Sequence, residues 1–196
     1  MPWIRNIHLV VSDRKQVEGI DGLDNVNIVT HDDIIPKHLL PTFNSTVIEL
    51  FLYRIPNLAE QFIYFNDDMF PVGPMQESDF FVDGKPALHI KLQTKPIHSM
   101  YAVHLKNGYT VASVLAKKSI PYVVRFGHSA SPMLKSTWKY LWGMCPYALL
   151  KSCTPFRTTR NINQDIASYY QYLTDSYVPS CRKLQYTTVH KQQDVE

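Results

Sequence analysis

Two pairs of adjacent carboxylates follow short apolar runs in this chain: Asp32-Asp33, preceded by His31 and the run Val26–Thr30, and Asp67-Asp68, preceded by Asn66 and the run Phe62–Phe65. Neighbouring carboxylates suit a hard divalent ion such as Mg²⁺, which takes oxygen ligands and often bridges to substrate phosphates. Asn-Asp-Asp also builds ordinary polar turns, so at 66–68 the residues alone leave both readings open. At 31–33 an imidazole beside carboxylates can be tuned for acid–base work near neutral pH, and a solvated histidine with a capping aspartate explains the triplet equally well. His128 follows a strand-like run and Gly127 and precedes a predicted helix, where free N–H groups favour an anion; a histidine packed in the turn is the alternative. Arg157 and Arg160 flank Thr158-Thr159 ahead of another predicted helix start, so both can reach toward a pyrophosphate there, although most surface arginines only face solvent.

The elements that must position these groups alternate along the chain. Ile7–Val11 and Val26–Thr30 read as buried strands, with a polar loop or short helix between them. From Thr42 a helix is predicted, capped by Asn44 or Ser45, with Glu49 early and Val47, Ile48, Phe51, Leu52 and Ile55 at helical spacing; Pro56 ends it. Phe62–Phe65 reads as a strand buried on both faces, and Asp83-Gly84 as the turn of a small inserted hairpin. A helix over Ser99–Lys118, interrupted near Asn107-Gly108, leads to a strand over Ile120–Phe126. Ser131 with Pro132 at the first helical position predicts a helix burying Leu134, Trp138 and Leu141. Asn161 or Asn163 caps a last helix whose stripe is Ile166, Tyr169, Tyr170 and Leu173. The aromatic residues Trp138, Trp142, Tyr169, Tyr170 and Tyr172 read as core rather than as sugar-stacking platforms.

This alternation predicts an α/β fold: a mostly parallel central sheet flanked by helices, Rossmann-like, with a small inserted hairpin region and ligands at the carboxyl ends of the strands. With 196 residues, the expectation is one domain over 1–178 and a peripheral tail over 179–196. Hydrophobic residues make up 45% and charged residues 19%, ordinary globular usage. The net charge of +3 is mild and scattered, which excludes a nucleic-acid-binding stripe but not local arginines for an anionic small substrate. The 3 cysteines have no metal-finger spacing, which predicts neither a disulfide framework nor a zinc site and fits a reducing, cytoplasmic setting. Neither a signal peptide nor a membrane-spanning run is read from the sequence.

Residues 30–70, THDDIIPKHLLPTFNSTVIELFLYRIPNLAEQFIYFNDDMF, resemble the second conserved region of the Stealth family of hexose-1-phosphoryltransferases. The shared features are His-x-Asp-Ile-Ile-Pro, Leu-Pro-Thr-Phe-Asn-Ser, Ile-Glu, Arg-Ile-Pro and Phe-Ile-Tyr-x-Asn-Asp-Asp, in family order. GHSASPMLKSTW and FRTTRNINQDIASYYQYL are similar to the third region, matched at His128, Arg157 and Asp165, with Pro132 farther from the histidine than the family usually has it. The core motif is thus placed at 30–73 and the second motif at 127–174.

The resemblance implies transfer of a sugar-1-phosphate from a nucleotide-activated sugar, a UDP-hexose or UDP-N-acetylhexosamine, to a saccharide hydroxyl in capsular or exopolysaccharide synthesis. It implies Mg²⁺ (or Mn²⁺) on Asp67 and Asp68, or orientation of the acceptor by them, His128 or His31 as the base, and Arg157 on the donor's pyrophosphate, with Arg160 a further substrate-binding candidate from its spacing. Asn44, Ser45, Glu49 and Asn66 would shape the sugar pocket. First- and fourth-region motifs are not found, which leaves as expectations a short active form, one completed by a neighbouring protein, or a non-catalytic binding module. A metal-dependent glycosyltransferase is a further alternative. The implied location is cytoplasmic, at the inner membrane surface with capsule assembly proteins.

Overall fold

The computed structural model describes residues 2–20, 22–71, 73–93, 98–127 and 130–180. Two strands, β1 (Ile7–Val11) and β2 (Val26–Thr30), pair in parallel with Ile7 opposite Val26, and both match their predicted bounds. Between them Asp13 caps a single 3-10 turn over Arg14–Val17. A short helix α1 (His31–Ile34) follows β2 directly, then α2 (Ser45–Phe51), which runs into a 3-10 turn over Leu52–Arg54 just ahead of Pro56.

Next come β3 (Gln61–Tyr64), the hairpin strands β4 (Phe81–Val82) and β5 (Lys85–Leu88), and β6 (Ile90–Gln93). The hairpin turns at Asp83-Gly84, where φ is 49° and 78°; an Asp-Gly pair supports two successive left-handed residues, and this is the two-residue turn the sequence predicts. Helix α3 (Met100–Ala116) leads to β7 (Val123–Phe126) and β8 (Ser131–Leu134), followed by α4 (Lys135–Met144), α5 (Pro146–Ser152), α6 (Asp165–Leu173) and β9 (Val178–Pro179).

The expected mostly parallel, Rossmann-like sheet is corrected by the observed pairing. The described residues form a mixed α/β fold with four small sheets, of which β1–β2 and β5–β9 are parallel pairs while β3–β8, β4–β5 and β6–β7 are antiparallel. The cause lies in β8. Ser131–Leu134 does not open a helix but runs back along β3, with Tyr64 opposite Ser131 and Ile63 opposite Pro132. A proline is tolerated there because β8 has β3 as its one ladder partner among the described residues. Helix α4 therefore begins after Leu134, which offers no side-chain cap; the Glu60 carboxylate accepts from Ser136 N–H at 3.2 Å instead.

The core lies between the helices. Trp138 and Leu141 of α4, Leu149 of α5 and Ile166 of α6 are each 0% exposed and pack with Val47, Leu50 and Val124. Of the aromatic residues read as core, Trp138 and Tyr169 are buried, whereas Trp142, Tyr170 and Tyr172 are half-buried against it; Trp142 packs on Phe51 and Tyr53 while donating to Leu50 C=O at 2.8 Å.

The expected break in α3 at Asn107-Gly108 is absent. Gly108 is buried against α6, and a Cβ added there would meet the Cα, Cβ and N of Ile166 at 3.5 Å. The glycine lets two helices approach closely, and packing offsets its poor intrinsic helicity. A methyl fits at that distance, so Gly108→Ala is expected to stabilise the fold by about 0.5 to 1 kcal/mol, whereas Gly108→Val forces the helices apart and costs about 1 to 3 kcal/mol. Urea unfolding of the two variants checks both signs.

Candidate active site

The first piece of the site is the N-terminus of α2. Asn44 is 0% exposed and caps the helix, its Oδ1 accepting from Thr46 N–H at 3.2 Å and Thr46 Oγ1–H at 2.8 Å. Its Nδ2 donates to Thr154 C=O at 3.1 Å and Phe156 C=O at 3.4 Å. Both ends of the amide are thus occupied by the protein, so Asn44 holds the site together rather than lining a sugar pocket. Beside it Ser45 Oγ accepts from Arg157 Nη2 at 2.6 Å, which joins the two sequence motifs.

One turn further, Glu49 is buried inside the same wall. Its Oε1 accepts from Tyr64 Oη–H at 3.3 Å and its Oε2 from Gln164 N–H at 3.3 Å. Burial pushes its carboxyl from an ordinary 4.5 up to about 8; the Asp165 carboxylate adds to the rise, and the Gln164 N–H, the Tyr64 hydroxyl and the Arg157 guanidinium only partly offset it. At neutral pH Glu49 therefore carries its proton.

Tyr64 ends β3, and Asn66-Asp67-Asp68 turn the chain immediately beyond it, with Asn66 C=O accepting from Met69 N–H at 3.2 Å. Asp67 and Asp68 are exposed. Burial, then the Glu49 carboxyl, then Asp67 and Asp68 hold the Tyr64 phenol far above its ordinary value, so the acidic pair and Glu49 act on one tyrosine. No three His, Cys, Asp or Glu side chains gather as a metal cage among the described residues. Two adjacent exposed carboxylates nevertheless fit Mg²⁺ or Mn²⁺, since such ions are commonly held by one or two protein carboxylates together with substrate phosphates and water.

On the other side of Glu49, Asp165 opens α6 and is buried. Its Oδ2 accepts from Tyr101 Oη–H at 3.0 Å and Asn163 Nδ2–H at 2.9 Å, and the Arg125 guanidinium lies over the Tyr101 ring at 5.6 Å. Tyr64 stands within the Phe-Ile-Tyr-x-Asn-Asp-Asp motif, but Tyr101 and Arg125 carry no local motif; they reach the site from α3 and β7, and only the tertiary fold reveals them.

The predicted residues divide accordingly. Ser45, Glu49 and Arg157 meet, and Asp67 and Asp68 act on the same cluster through Tyr64. Arg160 is exposed on the same loop as Arg157, with its N–H on Thr158 Oγ1 at 3.3 Å. His31 is the half-buried first residue of α1; burial pulls its imidazole below the ordinary value, Asp32 works in the opposite direction, and no described hydrogen bond ties it to Glu49 or Arg157. Asp33 is a cap: Thr30 N–H and Oγ1–H donate to its Oδ2 at 2.7 and 2.9 Å. His128 lies outside the described residues.

Comparison with known proteins follows the same division. Residues 1–88 match the family model described as Stealth protein CR2, conserved region 2. The capsular polysaccharide phosphotransferase WcwK of Streptococcus pneumoniae is 30% identical over 211 residues, covering 91% of this chain and 63% of that protein. The capsular polysaccharide phosphotransferase cps12A of Actinobacillus pleuropneumoniae is 34% identical over 179 residues, 83% of this chain and 46% of its own. The capsular polysaccharide phosphotransferase fcs1 of Haemophilus influenzae is 37% identical over 157 residues, 74% of this chain and 42% of its own. The chain thus spans about half the length of these relatives.

The buried carboxyl of Glu49 has a measurable signature. Its pKa rises from 4.5 in the unfolded chain to about 8 in the folded one, so between those values the folded chain binds the extra proton. This contribution to stability is complete below the lower value and is lost as pH climbs through the upper one, at about 1.4 kcal/mol per unit of pKa. Relative to Glu49→Gln, the natural chain is therefore expected to lose on the order of several kcal/mol between about pH 5 and about pH 9. Denaturant unfolding across that range is the check, and parallel pH profiles for the two proteins would contradict the assignment.

Proposed function

Because this chain belongs to the Stealth family through its second conserved region, we propose that it transfers a sugar-1-phosphate from a nucleotide-activated sugar to a hydroxyl of a capsular saccharide. The observation that carries the proposal is the 2.6 Å hydrogen bond from Arg157 to Ser45. It sets a guanidinium from the second motif against the first motif's helix, one turn from Glu49 and on the wall that Asp67 and Asp68 border through Tyr64. Three similar proteins bear the name capsular polysaccharide phosphotransferase, which supports the same reading.

In the proposed reaction an acceptor hydroxyl oxygen attacks the phosphorus that carries the donor sugar. The bond from that phosphorus to the bridging oxygen breaks, a nucleoside monophosphate leaves, and a phosphodiester remains. Such transfers depend on positioning and charge neutralisation more than on covalent protein chemistry. Arg157, and Arg160 beside it on the loop, hold the donor's phosphate oxygens, where a planar fork binds in a bidentate way. Glu49 keeps its proton at neutral pH and so adds no negative charge against those phosphates from behind the wall, while Ser45 and Asn66 border the donor sugar. Asp67 and Asp68 would hold Mg²⁺ or Mn²⁺, which supplies further neutralisation of the diphosphate when bound. The acceptor's proton passes to an imidazole, that of His128 or His31. A cytoplasmic site of action at the inner membrane surface, and a neighbouring protein that completes the site, belong to the same proposal.

The test is to incubate the chain with Mg²⁺, a panel of UDP-sugars and capsular oligosaccharide primers, and to identify the nucleotide released. UMP is expected. UDP would instead mean plain glycosyl transfer, and no nucleotide with any donor would mean a binding module. Arg157→Ala is expected to lower the rate by about 100-fold or more, and Arg157→Lys to restore only part of it, because lysine offers a point charge without the fork.

A further inference from the structure

The segment around Phe43 and the loop around Phe156 are fastened side by side. Phe43 N–H donates to Pro155 C=O at 2.8 Å, and the buried Asn44 amide donates to Thr154 and Phe156 carbonyls at 3.1 and 3.4 Å. Their two rings face outward together: Phe43 is 70% and Phe156 64% exposed, with ring centroids 5.4 Å apart and 12° between the planes. Two large aromatic side chains left in water, on backbone fixed from beneath, form a surface that folding alone does not require. Each also adjoins the Arg157–Ser45 pair, Phe156 immediately before the arginine and Phe43 two residues before the serine.

We propose that Phe43 and Phe156 form a shelf for a pyranose ring of the acceptor saccharide. This rests on the reading of Arg157 as a ligand of the donor's phosphates. A pyranose presents a face of C–H groups that packs on an aromatic surface by dispersion and water release, while its hydroxyls stay at the wet rim. The openness of the shelf selects the acceptor over the donor. Small ligands are enclosed in concave pockets, whereas a ring within a polymer needs a platform that lets its neighbours continue on both sides. Position selects it as well: Phe156 directly precedes Arg157, so a ring on the shelf lies next to the donor's phosphates, where an acceptor hydroxyl must come.

The experiment titrates the full chain, its Phe43→Ala/Phe156→Ala variant and its Phe43→Tyr/Phe156→Tyr variant with three probes, followed by calorimetry and saturation-transfer NMR. The probes are a panel of phosphodiester-containing capsular oligosaccharides, UDP-N-acetylglucosamine and inorganic pyrophosphate. The double alanine variant is expected to bind the oligosaccharides about tenfold more weakly or worse, to bind pyrophosphate as the natural chain does, and to keep its thermal midpoint. The double tyrosine variant is expected to retain oligosaccharide binding. Unchanged oligosaccharide affinity in the alanine variant, a loss confined to the UDP-sugar, or failure of every oligosaccharide to bind the natural chain would each overturn the shelf. The phosphate reading fails separately: it is lost if pyrophosphate binding is indifferent to Arg157→Ala.

Discussion

The site depends on one buried amide. Asn44 ties two segments 110 residues apart in sequence, because its oxygen caps α2 and its nitrogen satisfies carbonyls of the loop after α5. That loop has no regular structure, so its backbone polar groups need partners from elsewhere. They find them on three sides. His104 Nε2–H donates to Thr158 C=O at 2.7 Å, Asn107 Nδ2–H donates to Thr159 and Asn161 carbonyls at 2.9 Å each, and Asn161 accepts from Thr158 N–H while donating to Ser152 C=O. The irregular segment that carries Arg157 is thereby hydrogen-bonded to the rest of the fold on several sides.

Beside that segment the buried carboxyls are treated differently. Glu49 meets one phenol and one backbone N–H, too little to offset its desolvation, and it stays neutral near pH 7. Asp165, at the start of α6, receives a tyrosine hydroxyl and an asparagine amide and lies near the helix's free N–H groups. Asp67 and Asp68 remain in water. The acidic groups of the site thus run from a buried, desolvated interior at Glu49 and Asp165 to a solvated rim at Asp67 and Asp68.

Much of this was legible along the chain where the signal was local. The cap at Asn44, the strand ending at Tyr64 before the acidic pair, the Asp83-Gly84 turn and the buried stripe of α6 all follow from neighbouring residues. What sequence reading missed is non-local. Ser131-Pro132 carries a good helix-start pattern, yet pairing with β3 outweighs it; β6 and β7 find each other antiparallel across α3, which no alternation of strand and helix announces. Asn161, read as a cap for α6, instead supports the preceding loop, and Asn163 donates to Asp165. Asp33 resolved to the capping alternative because Thr30 lies within its reach. Tyr101 and Arg125 have no sequence neighbour that marks them, since their importance arises only where α3, β7 and α6 meet.

The glycine at 108 reaches further than its size suggests. It sets the distance between α3 and α6, and those helices carry most of the groups that brace the site: Tyr101, His104 and Asn107 on one, Asp165 on the other. Tyr101 reaches Asp165 from the same helix whose Asn107 holds the arginine loop. A spacing that admits no side chain larger than a methyl is therefore transmitted to the alignment of groups at the surface. A position buried between two helices thus acts as the gauge to which the wall above it is cut.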